Sequence, residues 1–308
     1  MPKVSILIPV YNREKFIAEC IQSALDQTYT DFEVVVVDND SDDGTWEICQ
    51  RFAALDQRVR VFRNDTNIGP VRNWKRCVEE ARGEFSKILF SDDCLEPKCL
   101  SQMVPKLDDP VVALVYCAAR MGETREKTTL VYSIAKSSRI STPHFISLVL
   151  RDEAPVSPGA ILIRTSDLLN NLHTQFPTST PRPFDKHGAG PDVMISLLTA
   201  ENYSYVEAIS SPLVYFRAHA GSFSIQNSSN QIVKGYTSAI AYYLNKKHGR
   251  QLWLNYLAHA WLRRMRLDRK WVNPRSYLIE YEGNGSFREL FGLFFCSLEH
   301  VQKKIFGI

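Results

Sequence analysis

Apolar residues gather first at residues 4–10 (VSILIPV), a nearly unbroken run. Such a run predicts a strand buried on both faces, as in a parallel sheet. The spacing then changes, and Phe16, Ile17, Cys20, Ile21, Ala24 and Leu25 share one face of a helix expected over 14–27. A second β-branched run, 32–37 (FEVVVV), ends in the turn cluster Asp38-Asn39-Asp40-Ser41-Asp42-Asp43-Gly44. The pattern repeats with a helix over 45–55, a strand over 59–62, a helix over 71–82 that aligns Trp74, Cys77, Val78 and Ala81, and a strand over 85–90. Strands and helices alternating over short connections predict a parallel, doubly wound sheet. Ligands bind such sheets beyond the carboxyl ends of the strands. Tyr11, Asp38, Asn67, Asp92 and Asp93 each follow a predicted strand end, so they are expected on one rim.

The middle of the chain is less regular. Strands are expected over 111–118, 130–133 and 160–164, with a helix over 143–150. Residues 174–191 hold Pro177, Pro181, Pro183 and Pro191, which reads as a loop. Helical spacing returns over 192–200, and 206–209 and 213–216 read as two strands. From about residue 234, helical patterns rich in aromatics and arginine take over, placing a boundary near residue 225 in the polar stretch 226–231. The expected layout is an α/β core over 1–225 and a helical region over 226–308. No internal repeat is visible.

Composition narrows the class. With 308 residues, 44% hydrophobic and 23% charged, the chain can bury a full core, which excludes disorder. A net charge of +3 is too weak to point to nucleic acid. The seven cysteines include no C-x-x-C pair, which argues against a disulfide framework or zinc knuckle and for a reducing cytoplasm. Met1-Pro2-Lys3 leads straight into the first strand, with no signal-peptide pattern. No stretch reaches the roughly 18 apolar residues of a membrane span. The expected place is the cytoplasm, free or peripheral on the inner face of the cell membrane.

The first strand ends in Pro9-Val10-Tyr11-Asn12-Arg13, without the glycines of a dinucleotide fingerprint, and no G-x-x-x-x-G-K-[ST] loop occurs. Phosphates of a bound nucleotide therefore need another source of positive charge, and a metal is the obvious one. Asp92-Asp93, after the strand FSKILF, can hold a hard divalent cation and leave its other positions to phosphate oxygens and water. The same pair also suits a helix cap or a plain turn. Asp38 can accept the imide N–H of uracil or thymine, or serve as a turn residue, and Tyr11 can stack on a base or pack at the rim.

The opening VSILIPVYNREKFIAECIQSALDQTYTDFEVVVVDNDSDDGT, continued in register by NIGPVRNWKRCVEEARGEFSKILFSDD, resembles family 2 glycosyltransferases of the GT-A fold. The resemblance covers residues 3–100 and extends more loosely to about 225. It implies a mixed, mainly parallel Rossmann-like sheet, with a nucleotide-sugar half over about 1–100 and an acceptor half over about 101–225. By the resemblance Asp38 reads the base, Pro9 and Tyr11 line the nucleotide pocket, and Asp92 and Asp93 form the metal and diphosphate motif. Asp93 is the direct metal ligand in that assignment, Asp40 is a further acidic position, and Arg72 is a basic side chain in reach of the nucleotide. The cofactor implied is Mn²⁺ or Mg²⁺. One departure is Phe90, where many members carry a further aspartate.

Two later segments extend the likeness. Asp192, in HGAGPDVMISLL, matches the catalytic base of an inverting transfer, although Pro191-Asp192 before an apolar helix also reads as a cap. Residues 215–224 (YFRAHAGSFS) resemble the family's R-x-H-x-G-S-x-S segment. There His219 would complete the metal shell or touch the diphosphate, and Arg217 would neutralise phosphate charge. A plain surface loop is the competing reading. Arg263, Arg264, Arg266, Arg269 and Lys270 lie near Trp253, Trp261 and Trp271, and the last stretch ends with Lys303-Lys304. That composition suits an anionic membrane surface, a helical cap on the core, or contact with a second copy. The implied activity moves a sugar from a nucleoside diphosphate sugar, UDP- or dTDP-linked, to a glycan or lipid-linked acceptor, as in surface polysaccharide synthesis. The rivals are a catalytically silent glycan-binding or scaffold protein of the same fold and a sugar nucleotidyltransferase.

Overall fold

The computed structural model describes residues 1–306 apart from 156, 179, 181 and 223–228. Strands β1 (Val4–Val10), β2 (Phe32–Asp38), β3 (Val59–Arg63) and β4 (Phe85–Ile88) run parallel in the spatial order β3-β2-β1-β4. Every residue of β1 and β2 is buried, because helices cover both faces. Side chains alternate across a strand. Ile6, Ile8, Val34 and Val36 therefore pack in one cluster with Ile17 and Ile21 of α1 (Ile17–Leu25) and Cys49 of α2 (Thr45–Leu55). Leu7, Val35 and Val37 pack on the other side with Val71, Cys77 and Val78 of α3 (Pro70–Glu80). Unbroken apolar runs are what two covered faces require.

The second half makes the sheet mixed. After β5 (Cys94–Leu95) and α4 (Cys99–Leu107) comes the long β6 (Val112–Gly122), followed by the short β7 (Thr128–Val131) and β8 (Ser138–Ser141). Then follow α5 (Thr142–Leu150), β9 (Ile161–Arg164), α6 (Thr165–Asn171), α7 (Phe184–His187), α8 (Pro191–Ala200) and β10 (Tyr205–Arg217). β9 lies antiparallel between β4 and β6, β10 runs parallel to β6, and β5 pairs antiparallel with the end of β10. The order is β3-β2-β1-β4-β9-β6-β10-β5.

Two expectations change. The stretches 206–209 and 213–216 are one strand, β10, whose register shifts between Ile209 and Pro212. Pro212 has no N–H for the ladder, and the irregularity absorbs it. The proline-rich stretch 174–191 holds the one-turn helix α7, and Pro181 within it lies outside the described residues. The helix α4 has no counterpart among the expected elements, although Leu100, Met103, Val104 and Leu107 bury one side of it; Pro105 in its last turn obscures the pattern.

Four helices follow: α9 (Ser229–Lys247), α10 (Arg250–Asp268), α11 (Pro274–Glu280) and α12 (Phe287–Phe306). Ala239, Tyr243, Trp253, Leu257, Trp261 and Leu293 belong to the same buried cluster as Leu7, Val35, Phe184 and Val193. The helical region thus shares its core with one face of the sheet. The boundary proposed near residue 225 lies outside the described residues, as do Phe223 and Ser224. All seven cysteines are buried, as small core residues. Among the described residues, no helix is long and apolar enough to cross a membrane.

Candidate active site

A cavity of about 620 Å³ opens at the carboxyl ends of β1 and β4, in the size range of small-ligand sites. Pro9 and Tyr11 line it from β1 and the turn after it, Asp92 and Asp93 from the turn after β4, Asp192 from the first turn of α8, and Arg217 from the end of β10. Residues far apart in sequence thus meet as strand-end geometry predicts.

The two adjacent carboxylates are held differently. Asp93 is buried, and its Oδ1 accepts the backbone N–H of Arg217 at 2.9 Å. Burial pushes its carboxyl well above the usual carboxylate range, and the negative charge of Asp92 adds to this; the Arg217 N–H, Lys87 and the Arg217 guanidinium draw it back. Asp92 Oδ2 lies 2.9 Å from His219 Nε2 and 3.8 Å from Arg13 Nε. His219 Nδ1 accepts the backbone N–H of Gly221 at 3.1 Å. A backbone N–H can only donate, so Nδ1 is the accepting nitrogen and Nε2–H donates a hydrogen bond to Asp92. His219 therefore orients Asp92 here, and it does not itself line the cavity.

Two crowded carboxylates, one of them buried, fit a divalent cation, which would relieve their repulsion with hard oxygen donors. Among the described residues no three His, Cys, Asp or Glu side chains are grouped to hold a metal ion alone. A cation at Asp92 and Asp93 would therefore complete its shell with phosphate oxygens and water.

Asp192 is the third acidic group of the cavity. Its Oδ1 accepts the backbone N–H groups of Gly190 and Val193 at 2.9 and 2.8 Å, and its Oδ2 accepts the Tyr236 hydroxyl at 2.6 Å. Burial outweighs these bonds and lifts the carboxyl to about 7. The loop before it depends on glycine. Gly188 has φ 68°, and an added Cβ would lie 2.3 Å from the Trp74 ring; Gly190 has φ 124°, with the Phe184 ring 2.8 Å from such an atom.

The other expected positions sit further back. Asp38 has no exposed surface; it accepts the Ser41 N–H at 3.2 Å and the Ser41 hydroxyl, with Arg63 Nε at 3.4 Å. Burial raises its carboxyl despite these partners. Its neighbour Asn39 lines the cavity and Asp38 does not. Asp40, at φ 66°, pairs with Arg63 at 3.4 Å. Arg72 is not among the residues that line the cavity, and its guanidinium reaches Asp185 at 3.4 Å. The Arg217 guanidinium donates to the Asp92 carbonyl at 3.0 Å and pairs with Glu19.

The model of glycosyl transferase family 2 matches residues 5–168, over half of the chain. The chain belongs to glycosyl transferase family 2. Within that family it is 37% identical over 126 residues to the putative glycosyltransferase EpsH of Bacillus subtilis, covering 40% of this chain and 36% of that protein. It is 39% identical over 122 residues to chondroitin synthase of Escherichia coli, covering 39% of this chain and 18% of that one. A third relative, the GalNAc(5)-diNAcBac-PP-undecaprenol beta-1,3-glucosyltransferase of Campylobacter jejuni, is 33% identical over 110 residues, 35% of this chain and 36% of that protein. The matched stretch thus spans little more than a third of EpsH and less of chondroitin synthase. Among solved structures, residues 1–349 of S. aureus TarS superpose with TM-score 0.59 at 18% identity, over 97% of this chain and 91% of that chain. The same fragment in complex with UDP-GlcNAc gives 0.58, with 97% and 92% covered. The family 2 chain therefore has the GT-A type α/β fold along its length, C-terminal helices included.

Several cavity residues escaped the sequence. Arg13 donates to the carbonyls of Asn12 and Gly221 at 2.9 and 3.4 Å, tying the turn after β1 to the loop after β10 while facing Asp92. It stands inside the matched segment VYNRE, which is the signal that could have found it. Tyr236 and Ile232 enter from α9, in the region assigned to a separate helical part, and nothing local in the sequence ties them to Asp192.

Proposed function

We propose that this family 2 chain transfers a glycosyl group from a nucleoside diphosphate sugar, UDP- or dTDP-linked, to a hydroxyl of a glycan or lipid-linked acceptor, with inversion at the anomeric carbon. The observation that carries the proposal is one cavity lined by both the Asp92–Asp93 pair and the buried Asp192. A carboxyl lifted to about 7 is half ionised near neutral pH, where a general base works best. Asp192 Oδ1 accepts two backbone N–H groups and Oδ2 only the Tyr236 hydroxyl, so Oδ2 keeps a lone pair that would take the acceptor proton. The acceptor oxygen forms its bond to the anomeric carbon as the bond to the diphosphate breaks, and the nucleoside diphosphate leaves. A bound Mn²⁺ or Mg²⁺ would supply positive charge for that leaving group. Asp92 and Asp93 would hold the cation, His219 would orient Asp92, and Arg13 and Arg217 would add positive charge at the cavity wall. Pro9, Tyr11 and Asn39 would line the nucleotide, with Asp38 released from Ser41 to meet the base. The name of the Campylobacter relative, which includes an undecaprenol-linked sugar, supports a lipid-linked acceptor and a role in surface polysaccharide synthesis.

Thermal-shift titrations of UDP, dTDP, GDP and CDP, with and without Mn²⁺, test the donor site. A metal-dependent shift for a uridine or thymidine diphosphate, lost in Asp93→Asn, is expected. No shift for any nucleotide on folded protein would refute it. The product's anomeric configuration, read by NMR, checks inversion.

A further inference from the structure

The basic and aromatic residues near the C-terminus separate into two groups in the structure. Trp253 and Trp261 are core residues. Arg263 pairs with Asp152, and Arg264 with Asp268 at 3.3 Å. Trp271 is 70% exposed, and α12 carries Phe287, Phe291, Phe294 and Phe295 at 84, 64, 41 and 53% exposure. Those four lie at i, i+4, i+7 and i+8, one stripe of the helix. The opposite stripe, with Leu293, Cys296 and Ser297, already packs on the core. The stripe faces away from the core that the rest of α12 covers. Trp271 joins it through Trp261, whose ring lies edge-on to Trp271 at 5.6 Å and to Phe294 at 5.5 Å.

Aromatic side chains carry about 200 Å² each, so these five expose roughly 600 Å², at the upper end of the largest patches on soluble monomers. A stable dimer of standard size buries about 800 Å² on each partner. The charge around the patch also opposes self-association. Arg266, Arg269, Lys270 and Arg288 are exposed beside it, and none is in an ion pair among the described residues. Of the described acids nearby, Asp268 pairs with Arg264, Glu280 with Arg182 and Glu289 with Arg250. A twofold contact would set these cations against their own copies. Aromatics flanked by unpaired cations complement a surface that is apolar inside and anionic outside.

We propose that this face of α12 and the α10–α11 corner docks on an anionic phospholipid bilayer. The aromatic rings enter the headgroup boundary, and Arg266, Arg269, Lys270 and Arg288 meet lipid phosphates. The test is co-sedimentation of the full chain with vesicles of phosphatidylcholine alone or with one part phosphatidylglycerol to two parts phosphatidylcholine. Wild type should sediment with the anionic vesicles and be released by high salt. Arg269→Gln/Lys270→Gln should weaken that binding roughly thirtyfold. Phe291→Gln/Phe295→Gln should weaken it to a similar degree, and both variants should melt as wild type does, because the altered side chains are exposed. Failure of folded wild type to sediment with anionic vesicles would overturn the proposal. So would unchanged binding in either variant, or a dimer in sedimentation equilibrium that the phenylalanine variant dissociates.

Discussion

Replacing Asp192 by Asn tests the central chemical claim without knowledge of the donor. The folded carboxyl lies near 7, while an unfolded aspartate titrates near 4. Between those values the folded chain holds a proton that the unfolded chain has lost, so stability falls as pH rises, by about 1.4 kcal/mol per unit. The contribution of Asp192 is fully present below the unfolded value and gone above the folded one. The side chain of the Asp192→Asn variant cannot titrate, yet its amide oxygen can still accept the Gly190 and Val193 N–H groups. Other carboxylates with raised values, such as Asp38 and Asp93, titrate in both proteins and cancel in the difference. From about pH 5 to about pH 8 the variant should therefore gain about 3 kcal/mol on wild type. At roughly 2 °C per kcal/mol for a chain of this size, the gap in melting temperature should widen by about 6 °C. Thermal unfolding by circular dichroism in matched buffers measures it. A gap that stays constant across that range would refute the raised carboxyl and the base assignment that leans on it. With a donor in hand, the same variant should lose about 10²–10⁴ in kcat.

Three further outcomes follow from the geometry. Tyr236→Phe removes a bond that stabilises ionised Asp192, so the acid limb of the rate–pH profile should move up by roughly half to one unit; a limb that does not move would show that Tyr236 leaves the base untouched. Asp93→Asn should raise the melting temperature of the metal-free protein at neutral pH, because ionising Asp93 beside Asp92 costs stability as pH rises through its folded value; a variant that melts lower would contradict the crowding. Gly188→Ala forces a side chain into left-handed backbone against Trp74 and should cost roughly 1–3 kcal/mol in urea unfolding; an unshifted midpoint would mean the loop repacks freely.

Legibility in the sequence follows how local the physics is. β1 and β2 stand out because burial on two faces leaves almost no polar position in the run. The ends of β1 and β4 then locate Tyr11, Asp92 and Asp93. β10 reads as two strands because Ser210-Ser211-Pro212 looks like a break, whereas the register shift lets one strand pass through it. Asp38 closes β2 and Arg72 sits in the first turn of α3, near where they were expected, but position along the chain does not fix side-chain direction, and Ser41 and Asp185 decide it. Tyr236 is invisible because its meeting with Asp192 depends on how α9 packs, 44 residues along the chain.

The core shared by the sheet and the late helices bears on how the molecule can be cut. The family match ends at residue 168, and a chain shortened there would look complete by homology. It would lack α8 with Asp192 and α9 with Tyr236, and would lose the part of the shared buried cluster that Val193, Ala239, Tyr243, Trp253 and Trp261 supply. Hybrids that exchange donor preference between relatives should therefore be spliced within surface loops of the first half, keeping everything after β9 from one parent.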